Sequence, residues 1–125
     1  MRLLITGWQG QLARSLVERA AGRPEITALA LGRPALDLAA RPSILSTLTD
    51  ATPDLIVNTA AYTAVDKAET DRDSAFALNC DGAGMLAEAA AARGIPLIHV
   101  STDYVFDGRK PSPYLETDPT DPINV

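Results

Sequence analysis

Three short runs carry residue types with chemistry to offer. The first is Thr6-Gly7-Trp8-Gln9-Gly10-Gln11-Leu12-Ala13, between an apolar run and a helical pattern. Gly7 permits a tight turn, and Gly10 lets the backbone approach a pyrophosphate. Ala13 is small enough to do the packing job of a third glycine. The helix that follows would turn unpaired N–H groups and a positive dipole end toward an anion. The spacing is not G-x-x-x-x-G-K-S/T and no lysine follows, which argues against an ATP-hydrolysing loop. A bare glycine turn is the alternative, and the position straight after an N-terminal strand favours the ligand.

The second run is Leu31-Gly32-Arg33, closing another apolar stretch. An acid at this point of a dinucleotide fold holds a ribose 2′-hydroxyl, whereas an arginine accepts a 2′-phosphate. No acid is present. Arg33 is thus a 2′-phosphate ligand, pointing to NADP(H), or a solvated surface arginine. The third feature is a pair of strand ends. Asn58-Thr59-Ala60-Ala61-Tyr62-Thr63 is small enough to leave room for a cofactor. Ser101-Thr102-Asp103-Tyr104 sets two hydroxyls and a carboxylate at a mouth. Local turn chemistry is the competing account of Thr102 and Asp103.

These runs need a scaffold, and the periodicity supplies one. Arg2 to Thr6, Ile26 to Leu31, Leu55 to Val57 and Pro96 to Ser101 read as short strands. Helices are expected over Gln11 to Ala21, from Pro42 with Ile44, Leu45 and Leu48 on one face, and from a cap at Asp71 to about Arg93, stopped by Gly94. Thr102 to Val125, with four prolines, reads as a long structured loop. Apolar strands without alternation, separated by helices, predict an α/β fold: a doubly wound parallel sheet of Rossmann type.

Composition sets the outer bounds. The 125 residues suffice for one domain, and 46% hydrophobic content allows a core. The net charge of −5 argues against nonspecific nucleic-acid binding. No apolar stretch reaches the roughly 20 residues of a membrane span, and the N-terminus lacks a signal-peptide pattern, so the expectation is a cytoplasmic protein with no membrane or nucleic-acid partner. The single cysteine, Cys80, excludes an internal disulfide and a multi-thiolate zinc site, and no metal site is expected.

Two longer runs are more specific. Asn58-Thr59-Ala60-Ala61-Tyr62-Thr63-Ala64-Val65-Asp66-Lys67-Ala68-Glu69 and Ser101-Thr102-Asp103-Tyr104-Val105-Phe106-Asp107-Gly108 resemble the dTDP-4-dehydrorhamnose reductases. So does Glu116-Thr117-Asp118-Pro119 followed by Pro122-Ile123-Asn124-Val125. Those enzymes belong to the extended short-chain dehydrogenase/reductase superfamily. The resemblance covers the whole chain, in order. It implies NADPH- or NADH-dependent reduction of dTDP-4-dehydro-L-rhamnose to dTDP-L-rhamnose, with NADP(H) or NAD(H) as cofactor and a nucleotide sugar as substrate.

By residue, the resemblance implies that Gly10, Gln11 and Leu12 contact the pyrophosphate and that Asp37 and Leu38 flank the adenine. Ala61, Tyr62 and Thr63 would line the cofactor. Thr102 would be the catalytic hydroxyl, and Asp103 would contact substrate. The residues near Gly32 depart from the family's polar or acidic pattern. The family's Tyr-x-x-x-Lys pair would begin directly after Asn124-Val125. Tyr62, Tyr104 and Tyr114 do not replace it, since Asp66, Gly108 and Asp118 stand four residues on.

The expected unit is therefore an incomplete dinucleotide-binding domain over residues 1–125, without the sugar-binding domain and inactive alone. A non-catalytic dinucleotide-binding regulatory module is the alternative. Half a doubly wound sheet would leave a sheet edge and some apolar face uncovered, which predicts self-association (a homodimer at the simplest), poor solubility, or a longer parent chain. Among the remaining residues, Asp66, Lys67 and Glu69 read as a solvated helix start. His99 reads as a core histidine and Cys80 as a small buried filler. Asn79 would bridge a kinked helix to the active-site backbone or stand as a surface amide. Trp8 would shield the pyrophosphate or pack on the first helix.

Overall fold

The computed structural model describes residues 1–125. Its elements follow in the order β1 (Arg2–Thr6), α1 (Gln11–Ala21), β2 (Thr27–Leu31), α2 (Arg41–Ala51), β3 (Leu55–Asn58), α3 (Val65–Ala68), α4 (Arg72–Phe76), α5 (Ala83–Ala91) and β4 (Leu97–His99). A π-helical stretch, Ala77–Gly82, joins α4 to α5, and a 3₁₀ turn covers Asp103–Val105. The strands pair in parallel in the order β2-β1-β3-β4. Chain direction out of β1 thus reverses across the sheet, the arrangement that opens a crevice at the strands' carboxyl ends.

The strand sequences explain this placement. Leu3, Leu4, Ile5 and Thr6 are all buried, so β1 is covered on both faces and must be central. One face carries the larger core: Leu4 and Ile56 pack with Ile44 and Leu48 of α2 and with Leu86, Ala89 and Ala90 of α5. Each fully buried Leu or Ile there contributes roughly 1.5–3 kcal/mol. The other face has a smaller cluster, Leu3, Ile5 and Val57 against Ala13 of α1. Ala13 is fully buried, in keeping with its expected packing role.

α1 forms as expected, and α2 starts with Pro42 in its first turn, where a missing N–H does no harm. Four expectations need correction. The long helix after Asp71 does run on to Ala91, but it widens into the π stretch partway, and the Asp71 side chain makes no cap hydrogen bond. β4 pairs only over Leu97–His99, because no strand lies on its outer side to extend the ladder. His99, on that edge strand, is exposed rather than in the core, although Asn58 satisfies its Nδ1 at 2.9 Å. Cys80, in the π turn, is exposed too and is no member of the core.

The expected uncovered face is present. Ile98 is 53% exposed although its register partner Val57 is only 7% exposed. α1 covers the middle of that face, while the helix that touches β4, α5, packs in the core that Leu97 joins. No helix is long and apolar enough to cross a membrane.

Candidate functional site

Parallel register sets side by side the residues that close three strands. Thr6 pairs with Asn58, and Asn58 with His99. Thr6 Oγ1 donates to Asn58 Oδ1 at 2.5 Å, and Asn58 Nδ2 lies 2.9 Å from His99 Nδ1. The Thr6 hydroxyl also accepts from the N–H groups of Thr59 (3.2 Å) and Ala60 (3.1 Å), while Thr59 Oγ1 donates to the Thr6 carbonyl at 2.6 Å. The turn after β3 is thereby pinned to the end of β1.

The glycine loop closes onto this turn. Gly7 has φ +79°, and a Cβ there would meet the Ala60 Cα at 2.9 Å, so both its conformation and its neighbour demand glycine. Its N–H donates to the Leu31 carbonyl at 2.8 Å, tying the loop to the end of β2. Gly10 follows as the residue before α1, and its N–H donates to the Gly7 carbonyl at 2.8 Å. Gln11 and Leu12 fall in the first turn of α1, whose N–H groups no intrahelical carbonyl reaches.

Between these segments lies a cavity of about 740 Å³. Thr6 to Gly10, Leu31 to Arg33, Leu36 to Ala39 and Thr59 to Thr63 line it, with Lys67, Asp71, Ser74, Ala77 and Leu78 on the far wall. Of the residues singled out in the sequence, Gly7, Gly10, Arg33, Asp37, Leu38, Ala61, Tyr62 and Thr63 therefore meet around one space. The Leu38 side chain itself is buried in the core. Asp37 Oδ1 accepts the Ala39 N–H at 3.0 Å. Gln11 and Leu12 are not in the lining and stand beside it, after Gly10.

Asn79 holds the far wall. Its Oδ1 accepts the Tyr62 N–H at 2.7 Å and its Nδ2 donates to the Tyr62 carbonyl at 3.0 Å. The bridging role is the correct alternative, and the widened π turn is what carries Asn79 to that backbone. The Tyr62 hydroxyl donates to Asp71 Oδ2 at 3.0 Å, and Lys67 Nζ lies 3.6 Å from the same oxygen. Desolvation and the Asp71 carboxylate both push the Tyr62 phenol up. The hydroxyls of Ser74 and Tyr62, with Lys67, hold Asp71 below the usual carboxylate range. Tyr62 is therefore a fixed hydrogen-bond donor, the opposite of a phenol tuned for acid–base work at neutral pH. In the exposed cluster at α3, Lys67 pairs locally with Asp71, whereas Glu69 accepts the N–H of the distant Val125 at 2.9 Å.

Thr102 and Asp103 lie apart from this cavity. Thr102 Oγ1 accepts the Tyr104 N–H at 3.2 Å, as turn chemistry requires, and its own O–H meets Asp103 Oδ1 at a long 3.4 Å. Asp103 lines a second cavity, of about 450 Å³, with Tyr104, Phe106, Asp107, Tyr114 and Asn124 among its walls. Phe106 and Tyr114 stack there with ring centroids 4.2 Å apart. Lys110 Nζ binds Asp118 at 2.5 Å, and the Tyr114 hydroxyl donates to Asp107 at 2.7 Å. No three His, Cys, Asp or Glu side chains gather at one point.

Sequence reading passed over Thr6 and the Asn58 side chain. The available signal was a polar residue closing each of two apolar runs that must pair. It also gave Gly82 no role, although a Cβ there would meet the Leu38 carbonyl oxygen at 2.9 Å.

A parallel sheet wound in both directions from β1, with a glycine loop and a cavity at the strand ends, defines a Rossmann-type α/β layer. The profile of the family described as RmlD substrate binding domain matches residues 1–125. The chain belongs to that family. A dTDP-4-dehydrorhamnose reductase of Sinorhizobium fredii is 58% identical over 125 residues, which are 100% of this chain and 42% of that protein. A crystal structure of a dTDP-4-dehydrorhamnose reductase from Clostridium acetobutylicum superposes with TM-score 0.94 at 35% identity, covering 99% of this chain and 44% of that one. The Bacillus anthracis dTDP-4-dehydrorhamnose reductase in complex with NADP superposes with TM-score 0.92 at 37% identity, covering 98% and 43%. The chain thus spans less than half the length of these relatives, and the resemblance read from its motifs is borne out.

Proposed function

We propose that this chain is the dinucleotide-binding part of an NAD(P)H-dependent reductase acting on dTDP-4-dehydro-L-rhamnose. The observation that carries the reading is the cavity at the strand carboxyl ends, walled by the Gly7–Gly10 loop and opening beside the first turn of α1. The residues fit the cofactor. Gly10 and the N–H groups of Gln11 and Leu12 form an uncrowded cradle for a pyrophosphate. Arg33 would meet the adenosine end, flanked by Asp37 and Leu38. Ala61, Tyr62 and Thr63, pinned by Thr6 and Asn79, would line the remainder.

The dinucleotide, when bound, supplies the hydride. The chain's own part is binding and orientation. Thr102 is the candidate catalytic residue: its O–H is held only by the 3.4 Å contact to Asp103, and it is free to turn toward a substrate carbonyl oxygen. Asp103, on the second cavity, would contact the sugar nucleotide. The tyrosine acid of the reaction is not among Tyr62, Tyr104 and Tyr114 by motif, so the complete reduction is proposed for the parent protein.

The test is a calorimetric titration of this chain with NADPH and NADH, paired with a reductase assay on dTDP-4-dehydro-L-rhamnose. Dinucleotide binding without turnover is expected. Failure to bind either dinucleotide at millimolar concentration would overturn the reading. Turnover at the rate of a full-length reductase would overturn the assignment of the acid to the parent protein.

A further inference from the structure

Trp8 occupies a place that the proposed function leaves unexplained. Its indole lies over Gly32, where a Cβ would stand 2.5 Å from Cδ1 and 3.1 Å from Nε1. Gly32 is the first residue after β2, the point from which an acidic side chain reaches a ribose 2′-hydroxyl in folds of this kind. No side chain fits beneath the ring as it lies. The backbone of the loop is not free to withdraw either, since the Gly7 N–H is bonded to the Leu31 carbonyl and Gly7 abuts Ala60. Relief would have to come from rotation of the half-exposed indole itself.

The charges on this wall complete the case. Arg33 lines the cavity and enters no ion pair. Asp37, the acid nearest it in sequence on the same wall, has Oδ1 committed to the Ala39 N–H. We propose that Trp8 is a specificity-determining residue. Its indole takes the space that an acid at position 32 would need, and leaves Arg33 to select a dinucleotide bearing a 2′-phosphate. The inference rests on the dinucleotide-binding reading and adds to it which residue excludes the unphosphorylated form of recognition.

A double-mutant cycle tests it, with Kd for NADP⁺ and NAD⁺ measured by calorimetry on the wild-type chain, Trp8→Ala, Gly32→Asp and the double variant. The wild type should favour NADP⁺. Gly32→Asp should move the preference toward NAD⁺ about tenfold further when Trp8 is alanine than when it is present, the worth of a charged hydrogen bond that can then form. Equal shifts in both backgrounds would overturn the proposal and leave dinucleotide binding intact. Trp8 is the sole tryptophan, so its emission gives a readout that needs no variant. Adenosine 2′,5′-bisphosphate should change that emission on binding; calorimetric binding with no change in emission would place Trp8 elsewhere and overturn the proposal. Binding of neither dinucleotide would overturn the proposed function and this inference together.

Discussion

Asn58→Ala should be the most informative single change to the scaffold of the site. Asn58 is 1% exposed and joins the ends of three strands through Thr6 and His99. Two side-chain hydrogen bonds are lost, each worth about 1 kcal/mol net, and the 1%-exposed Thr6 hydroxyl loses its acceptor, adding about 1–2 kcal/mol. The expected loss is about 3 kcal/mol, a large share of the roughly 5–15 kcal/mol that holds a typical domain. Urea unfolding should show a lower midpoint at unchanged slope, and the melting temperature should fall by on the order of 10 °C. His99→Ala, at the exposed end of the same chain of bonds, should cost about 1 kcal/mol or less. Thr6→Val with Asn58→Ala should be less damaging than the two single losses added together, because each single variant strands the other's partner. An Asn58→Ala loss under about 1 kcal/mol, or strict additivity with Thr6→Val, would refute the idea that this buried network fixes the site.

Asn79→Ala should weaken dinucleotide binding, because Tyr62 loses both backbone anchors, while global stability falls by only about 1 kcal/mol at this exposed position; calorimetry beside urea unfolding separates the two effects. The segment from Asp107 to Asp118 should loosen in acid. The Tyr114 hydroxyl and the Arg109 N–H hold the Asp107 carboxyl below its ordinary value, and Lys110 and the Leu115 N–H do the same for Asp118. Groups with depressed folded values stabilise fully above the unfolded carboxylate range, near pH 4, and lose that contribution as pH falls through the folded value. Near-ultraviolet circular dichroism of the stacked Tyr114 should therefore hold steady at neutral pH and decay below about pH 4, and Asp118→Asn should shrink that acid-dependent change.

The parts of the fold governed by local chemistry were legible. Short apolar runs between helical patterns point to the strands of a parallel sheet, and the central ones, β1 and β3, are the buried ones. Gln11–Ala21 has a glycine before it and a glycine after it, and its bounds came out as expected. What escaped was set by position in the sheet. Cys80 belongs to a residue type that is often buried and His99 sits in an apolar run, and each reads as interior. His99 falls on an edge strand and Cys80 in a widened turn, and neither location is written in the neighbouring residues. The π turn carries only a weak composition signal, the run Asn79-Cys80-Asp81-Gly82 of poor helix formers, which does not by itself specify a widened turn. Only the two bonds from Asn79 to the Tyr62 backbone show what the extra residue accomplishes.

The glycines show why the site was more legible than its reasons. That Gly7 and Gly10 make a turn follows from residue type. That Gly7 admits no side chain is also a property of Ala60, more than fifty residues later, whose Cα closes on it because Thr6 holds the turn after β3. Gly32 reads alone as the absence of an acid. In the fold it is the floor beneath Trp8. A glycine in such a loop therefore carries two statements, one about its own backbone and one about the neighbour that fills its missing side chain. The first predicts where a phosphate is cradled; the second, visible only through space, predicts which dinucleotide the wall of the cavity admits.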